Sequence, residues 1–246
     1  DSFSTNGNVT GNHGLSDYWI VKLTSTGTIV WQKSFGGLYG EYARSIQQTA
    51  DGGYIVSGSG DSLDGDVIGN HGLSDYWIVK ISSTGLLEWQ KSLGGSKYDI
   101  CYSIQQTNDG GYIVTGDSAS TNGDVTGNNG NNDYWIVKLT STGSIAWQKS
   151  LGGSSYDLGR SIKQTTDGGY IVAGYSYSND GDVTGNHGLI DYWIVKLSSF
   201  LGVNSFINNS TLTLFPNPAN DDISVKLDYF TPSQEITSTG VLGKTI

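Results

Sequence analysis

The stretch Asp75–Gly95, DYWIVKISSTGLLEWQKSLGG, decides the fold, because the chain spells it again and again. Near-copies stand at Asp17–Gly37 and Asp133–Gly153, and the head DYWIVKL returns at Asp191. Trp19, Trp77, Trp135 and Trp193 are spaced by 58 residues with no insertion or deletion, and Trp31, Trp89 and Trp147 keep the same step. A fixed period of this length marks a repeat architecture, in which each unit buries its apolar face only against its neighbours.

One period reads outward from that stretch as four short strands. Arg44–Thr49 (RSIQQT) is the first, and Asp51-Gly52-Gly53 is a turn that supplies positive φ at little cost. Tyr54–Gly58 is the second strand, followed by a 16-residue connection, Ser59–Ser74. Tyr76–Ile81 is the third, Ser82–Gly85 a tight turn, Leu87–Leu93 the fourth, and Gly94–Tyr102 leads into the next copy. Four antiparallel strands per unit, rich in Val, Ile, Tyr and Trp, describe a β-propeller blade. The expected fold is therefore all-β: four-stranded antiparallel blades over residues 1–197, about three blades and a part. Residues 198–211 read as a linker, and 212–246 as a small, partial β-sandwich-type domain. Closed propellers have about four to eight blades, so either the outer strand of the last blade comes from residues missing at the N-terminus or the repeats form an open arc.

Composition narrows the function classes. The chain carries a formal net charge of −10 and a pI near 4.5, which argues against a nucleic-acid or anionic-membrane partner, since both need a basic face. The single cysteine, Cys101, excludes an internal disulfide framework and a Cys-type zinc site. It occupies the position of Ala43 and Gly159 in the other copies, so it reads as a small buried side chain. No apolar run reaches the length of a membrane span. The chain opens inside a repeat without Met, and so reads as a fragment or processed product.

The spelling resembles the tryptophan-docking repeat of quinoprotein-like propellers, in which a strand, an x-x-T-G turn and a Trp close each blade. The turns here are Thr24–Gly27, Ser82–Gly85 and Thr140–Gly143, and the tryptophans Trp31, Trp89 and Trp147. The resemblance covers about residues 17–197 and implies that each blade Trp is a staple between blades rather than a ligand-stacking residue. It does not carry an activity, because this scaffold hosts many.

In a four-stranded antiparallel blade the DGG and TSTG turns fall at one end and the long connections at the other, and loops on a rigid scaffold are where binding resides. Those loops read NGNVTGNHG (Asn6–Gly14), DGDVIGNHG (Asp64–Gly72), NGDVTGNNG (Asn122–Gly130) and DGDVTGNHG (Asp180–Gly188). Oxygen side chains two apart around a Gly suit a hard cation, so Asp64, Asp66, Asp124, Asp180 and Asp182 are candidate calcium ligands. The competing reading is a metal-free Gly/Asn turn, since the distal bidentate Glu of an EF-hand is absent. His71 and His187 lie on the same face, but Asn129 replaces them in the third copy, which points to a hydrogen-bonding role. Asp99 and Asp157, with Glu41 as their equivalent, read as a carboxylate ring on this rim, most simply a solvated surface. No nucleophile elbow, P-loop, HExxH or dinucleotide fingerprint is present, so no catalytic residue is assigned.

The C-terminal part changes character. LTLFPNPAN (Leu212–Asn220), ISVKL (Ile223–Leu227) and the ending VLGKTI (Val241–Ile246) are similar to the sorting domain of type IX secretion substrates. The matching residues are Phe215, Pro216, Asn217, Pro218 and Asn220, with Gly243 and Lys244 near the end. The resemblance implies export by the type IX machinery and a secreted or cell-surface location; the family pattern runs on beyond Ile246, so the domain is expected to be partial. The combined expectation is a non-enzymatic binding or adhesion module for an extracellular glycan or protein. The alternatives are part of a quinoprotein-like or glycan-active enzyme, or a structural spacer.

Overall fold

A computed structural model describes residues 1–198, together with the strand backbones of Thr213–Phe215 and Ser224–Lys226. The chain divides into two compact units, Asp1–Ser199 and Phe200–Ile246. In the second unit the described residues form one antiparallel strand pair, Thr213–Phe215 with Ser224–Lys226. Pro216, Asn217, Pro218, Asn220, Gly243 and Lys244 lie outside the described residues, as does the side chain of Phe215.

The first unit is all-β. Its strands are β1 (Tyr18–Leu23), β2 (Ile29–Phe35), β3 (Glu41–Gln48), β4 (Tyr54–Gly60), β5 (Asp75–Ile81), β6 (Leu87–Leu93) and β7 (Asp99–Gln106). They continue with β8 (Tyr112–Ser118), β9 (Asp133–Leu139), β10 (Ile145–Leu151), β11 (Asp157–Gln164), β12 (Tyr170–Ser176) and β13 (Asp191–Leu197). Consecutive strands pair antiparallel into four sheets, β1–β2, β3–β6, β7–β10 and β11–β13, in unbroken sequence order. The expected strands are all present. The first strand of each of the three larger sheets starts earlier than its sequence suggests, at Glu41, Asp99 and Asp157, and carries a β-bulge at Arg44, Tyr102 and Arg160. The segments Tyr42-Ala43, Ile100-Cys101 and Leu158-Gly159 differ from copy to copy, so their common strand character is hidden in the spelling.

The DYWIVK strands explain why the sheets assemble. In β5 and β9 every residue is buried, because neighbouring sheets cover both faces, as expected for an apolar strand without alternation. Tyr18 packs at a tilt against Trp77 of the next sheet with ring centroids 4.5 Å apart, and Tyr76 against Trp135 at 4.6 Å. Each tyrosine hydroxyl then donates to the main-chain carbonyl of the same tryptophan, at 2.9 and 3.0 Å. The lysine inside the motif is buried as well: Lys80 and Lys138 reach Asp51 and Asp109 in the DGG turns, each at 2.9 Å. The pair satisfies a buried ammonium that would otherwise be costly.

Two further ladders join the sheets. Trp31 and Trp89 lie edge-on or tilted against Tyr54 and Tyr112 of the following sheet, and Trp31 Nε1 donates to the Ser83 carbonyl. At Gly143, φ is +80° and an added Cβ would sit 2.9 Å from the Trp89 ring, so the turn needs glycine for both conformation and space. The docking staple read from the T-G turns is thus one of two tryptophan sets, and the Trp77 set is the more deeply buried. Between first strands, the Gln47 amide oxygen accepts from Gln106 N–H at 2.7 Å while Gln106 accepts from Ala50 N–H at 2.8 Å; Gln105 and Gln164 repeat the exchange.

Trp77→Ala should lower the unfolding free energy by about 3–5 kcal/mol, the range for deleting a fully buried large aromatic. Trp147→Ala, at a ring that is 37% exposed, should cost less than half as much. Urea midpoints of the two variants check this; equal losses would contradict the ranking of the two staples.

Candidate ligand-binding site

The long connections and the links between sheets meet at one end, as the topology requires, and there they interlock. Around the third sheet, Asp124 N–H donates to Gly94 O at 2.8 Å while Gly94 N–H donates to Asp124 Oδ2 at 3.2 Å. Ser96 N–H donates to Asn122 Oδ1 at 2.9 Å, and Lys97 N–H to Ser120 Oγ at 3.0 Å. The same latch recurs around the other two: Asp64 and Asp66 accept from Leu38 and Gly36, and Asp180 and Asp182 from Ser154 and Gly152. The five candidate calcium ligands therefore each aim an oxygen at a backbone N–H. Among the described residues no group of three His, Cys, Asp or Glu side chains is arranged to hold a metal ion.

Beneath each latch sits a carboxylate pair that the sequence misplaces. Asp99 and Asp157 read as solvated, yet both are wholly buried, as are Glu41, Asp75 and Asp133. The reason is that the first strand begins at these acids and the latch closes over them. Asp99 Oδ2 accepts from Gly95 N–H and Ser120 Oγ, each at 2.8 Å, and Ser118 Oγ–H bonds its Oδ1. Asp75 Oδ2 accepts from His71 N–H at 2.9 Å and faces His71 Nδ1 at 2.7 Å. Among the described residues its Oδ1 has no partner, nor has Oδ1 of Asp133. The two acids approach across Gly94, where an added Cβ would lie 2.5 Å from Asp99 and 2.6 Å from Asp75. His71 thus caps the buried Asp75, and His187 caps the more exposed Asp191 at 3.2 Å. Asn129 keeps the backbone half of the cap, donating its N–H to Asp133 at 2.8 Å, which explains why Asn substitutes. His71 also lines a cleft of about 480 Å³ between the second and third sheets, with Lys91 and Asp124.

The residues that break the repeat lie elsewhere at the same end. The bulge positions Arg44, Tyr102 and Arg160 come together from three sheets, with the Arg44 guanidinium 4.9 Å and the Arg160 guanidinium 3.7 Å from the Tyr102 ring centre. Arg160 also donates to the Tyr175 hydroxyl at 2.7 Å. Tyr175 packs edge-to-face on Tyr177, and Tyr177 on Tyr156, at centroid distances of 6.2 and 6.4 Å. Tyr156, Leu158, Tyr175 and Tyr177 line a cleft of about 560 Å³. Sequence reading misses the arginines; the available signal is that they are the only two in the chain, two periods apart. Cys101, beside the bulge, is fully buried and its thiol is pushed up to about 12 by burial, so it is an inert packing group.

Burial pushes the Asp75 and Asp133 carboxyls up to about 6, with the nearby Asp157 and Asp182 adding to the effect at Asp133. An acid whose folded value lies above its unfolded value of about 4 stabilises the fold when protonated; that stability is present below pH about 4 and is lost as pH rises through about 6. The melting temperature should therefore fall over that window. Asp133→Asn, at the pair with no histidine cap, should flatten the fall and raise the melting temperature at neutral pH. A variant with an unchanged pH profile would contradict the assignment.

No family model and no curated protein matches the chain. Among solved structures, it is similar to a protein of unknown function from Bacteroides caccae, at 12% identity and a TM-score of 0.39, over 63% of this chain and 46% of that one.

Proposed function

We propose that residues 1–197 are β-propeller blades acting as a non-enzymatic binding or adhesion module. The module belongs to a protein secreted or displayed on the cell surface through type IX export, with residues 212–246 as part of the sorting domain. The observation that carries the binding reading is the division of labour between copies. The polar groups at the long-loop end that recur in every period are consumed by the latches and buried acids. Those that differ, Arg44, Tyr102, Arg160, Tyr175 and Tyr177, gather in one patch bordered by an open cleft. A spacer needs no such departure from its own repeat, whereas a binding surface does. The export reading is supported by the Phe215-Pro216-Asn217-Pro218 spelling.

Exchange of Tyr175–Asn179 for the third-copy sequence Asp117–Thr121 should abolish binding on a glycan array while leaving the melting temperature within a few degrees. Binding that survives the exchange, or a wild-type chain that captures no glycan and no extracellular protein, would sink the reading in favour of a spacer.

A further inference from the structure

We infer that the strip running from Arg44 through Tyr102, Arg160, Tyr175 and Tyr177 to Tyr156 is a recognition site for a carboxylate-bearing saccharide, a uronate; this rests on the binding-module reading and names its ligand class. Three observations carry it. First, the chain has two arginines among 246 residues, and both reach the same tyrosine ring from sheets two periods apart. Second, neither arginine forms an ion pair among the described residues of a chain that holds 23 Asp and Glu. The ion pairs of the fold are made by Lys80, Lys138, Lys196 and the histidines instead. Third, both arginines stand at β-bulges, where the extra residue leaves the ladder and its side chain is re-aimed.

Both guanidinium groups lie over the Tyr102 ring, and Arg160 commits one N–H to the Tyr175 hydroxyl. Arg44 has no side-chain hydrogen bond among the described residues and is exposed. The forked N–H donors of a guanidinium match a planar carboxylate in a way a lysine cannot. Beside them, Tyr156 and Tyr177 are 48% and 44% exposed. Their rings offer an apolar face to the C–H side of a pyranose while their hydroxyls reach ring oxygens, a use suited to an amphipathic aromatic. The net charge of −10 disfavours a densely sulfated polymer and leaves a ligand with isolated carboxylates as the better fit. An acidic peptide could supply carboxylates too, but the exposed tyrosine pair favours the sugar.

The test titrates the full chain with tetragalacturonate, its methyl ester and hexaglutamate, by calorimetry and by ¹⁵N NMR of the arginine side chains. With two arginines the Nε–H region holds two assignable signals, so wild-type protein suffices even where a variant folds poorly. The expected result is that tetragalacturonate alone binds and shifts both signals. Arg44→Lys and Arg160→Lys should each weaken it about tenfold or more, since charge is kept and the fork is lost, with the melting temperature little changed. Equal binding of acid and ester, indifferent to both substitutions, would overturn the uronate site while leaving a binding module. Hexaglutamate binding with tetragalacturonate silent would assign the strip to an acidic protein instead. Silence of all three, with unmoved arginine signals, would overturn the inference; an inactive glycan array would then remove the module reading as well.

Discussion

The structure depends on one contact made three times: a tyrosine of one sheet laid on a tryptophan of the next, with the hydroxyl bonded to that tryptophan's carbonyl. A repeat unit of four short strands with two apolar faces buries them only by stacking on its neighbours. The Tyr–Trp contact buries both faces of the third strand at once and fixes the distance between sheets. The effect of the contact shows in the exposures: Tyr76, Tyr134, Ile78 and Ile136, covered by a following sheet, are wholly buried, whereas the equivalent Tyr192 and Ile194 of β13, which no described sheet covers, are 93% and 64% exposed. Stability in such an array is a sum of intrinsic and nearest-neighbour terms, and the neighbour term dominates here.

That constraint separates what the repeat must keep from what it is free to change. The Tyr, Trp, Gln and latch Asp positions each bond to the adjacent unit, so any one copy that lost them would open a junction, while each motif Lys pairs with the DGG turn of its own unit. The bulge on the first strand is outside this system. It carries Arg44, Tyr102 and Arg160, and its flanks carry Ala43, Cys101 and Gly159, all different in size and chemistry. Divergence is cheapest there, and the divergent side chains share one end of the molecule with the long loops.

The period made the strands and their order legible, because identical spacing over four copies leaves no room for a second register. The Trp31 set was legible too, through the T-G turn it packs against. Three things were not. The early start of the first strands was hidden by the variable residues that form it. Asp99 and Asp157 look like surface acids in a polar stretch, and only the latch folding back over them makes them buried. The meeting of Arg44 and Arg160 depends on first strands lying side by side, which no local pattern encodes. For the same reason the loop spelling [DN]-G-[DN] suggests a cation, while in three dimensions its oxygens face N–H groups.

The most direct test of the central contact is amide hydrogen exchange of Tyr76→Ala read by mass spectrometry. If the Tyr76–Trp135 contact couples the second and third sheets, protection should fall together across β3–β6 and β7–β10. Loss confined to β5 and its immediate partners would show that each sheet stands without its neighbour, and would contradict the account.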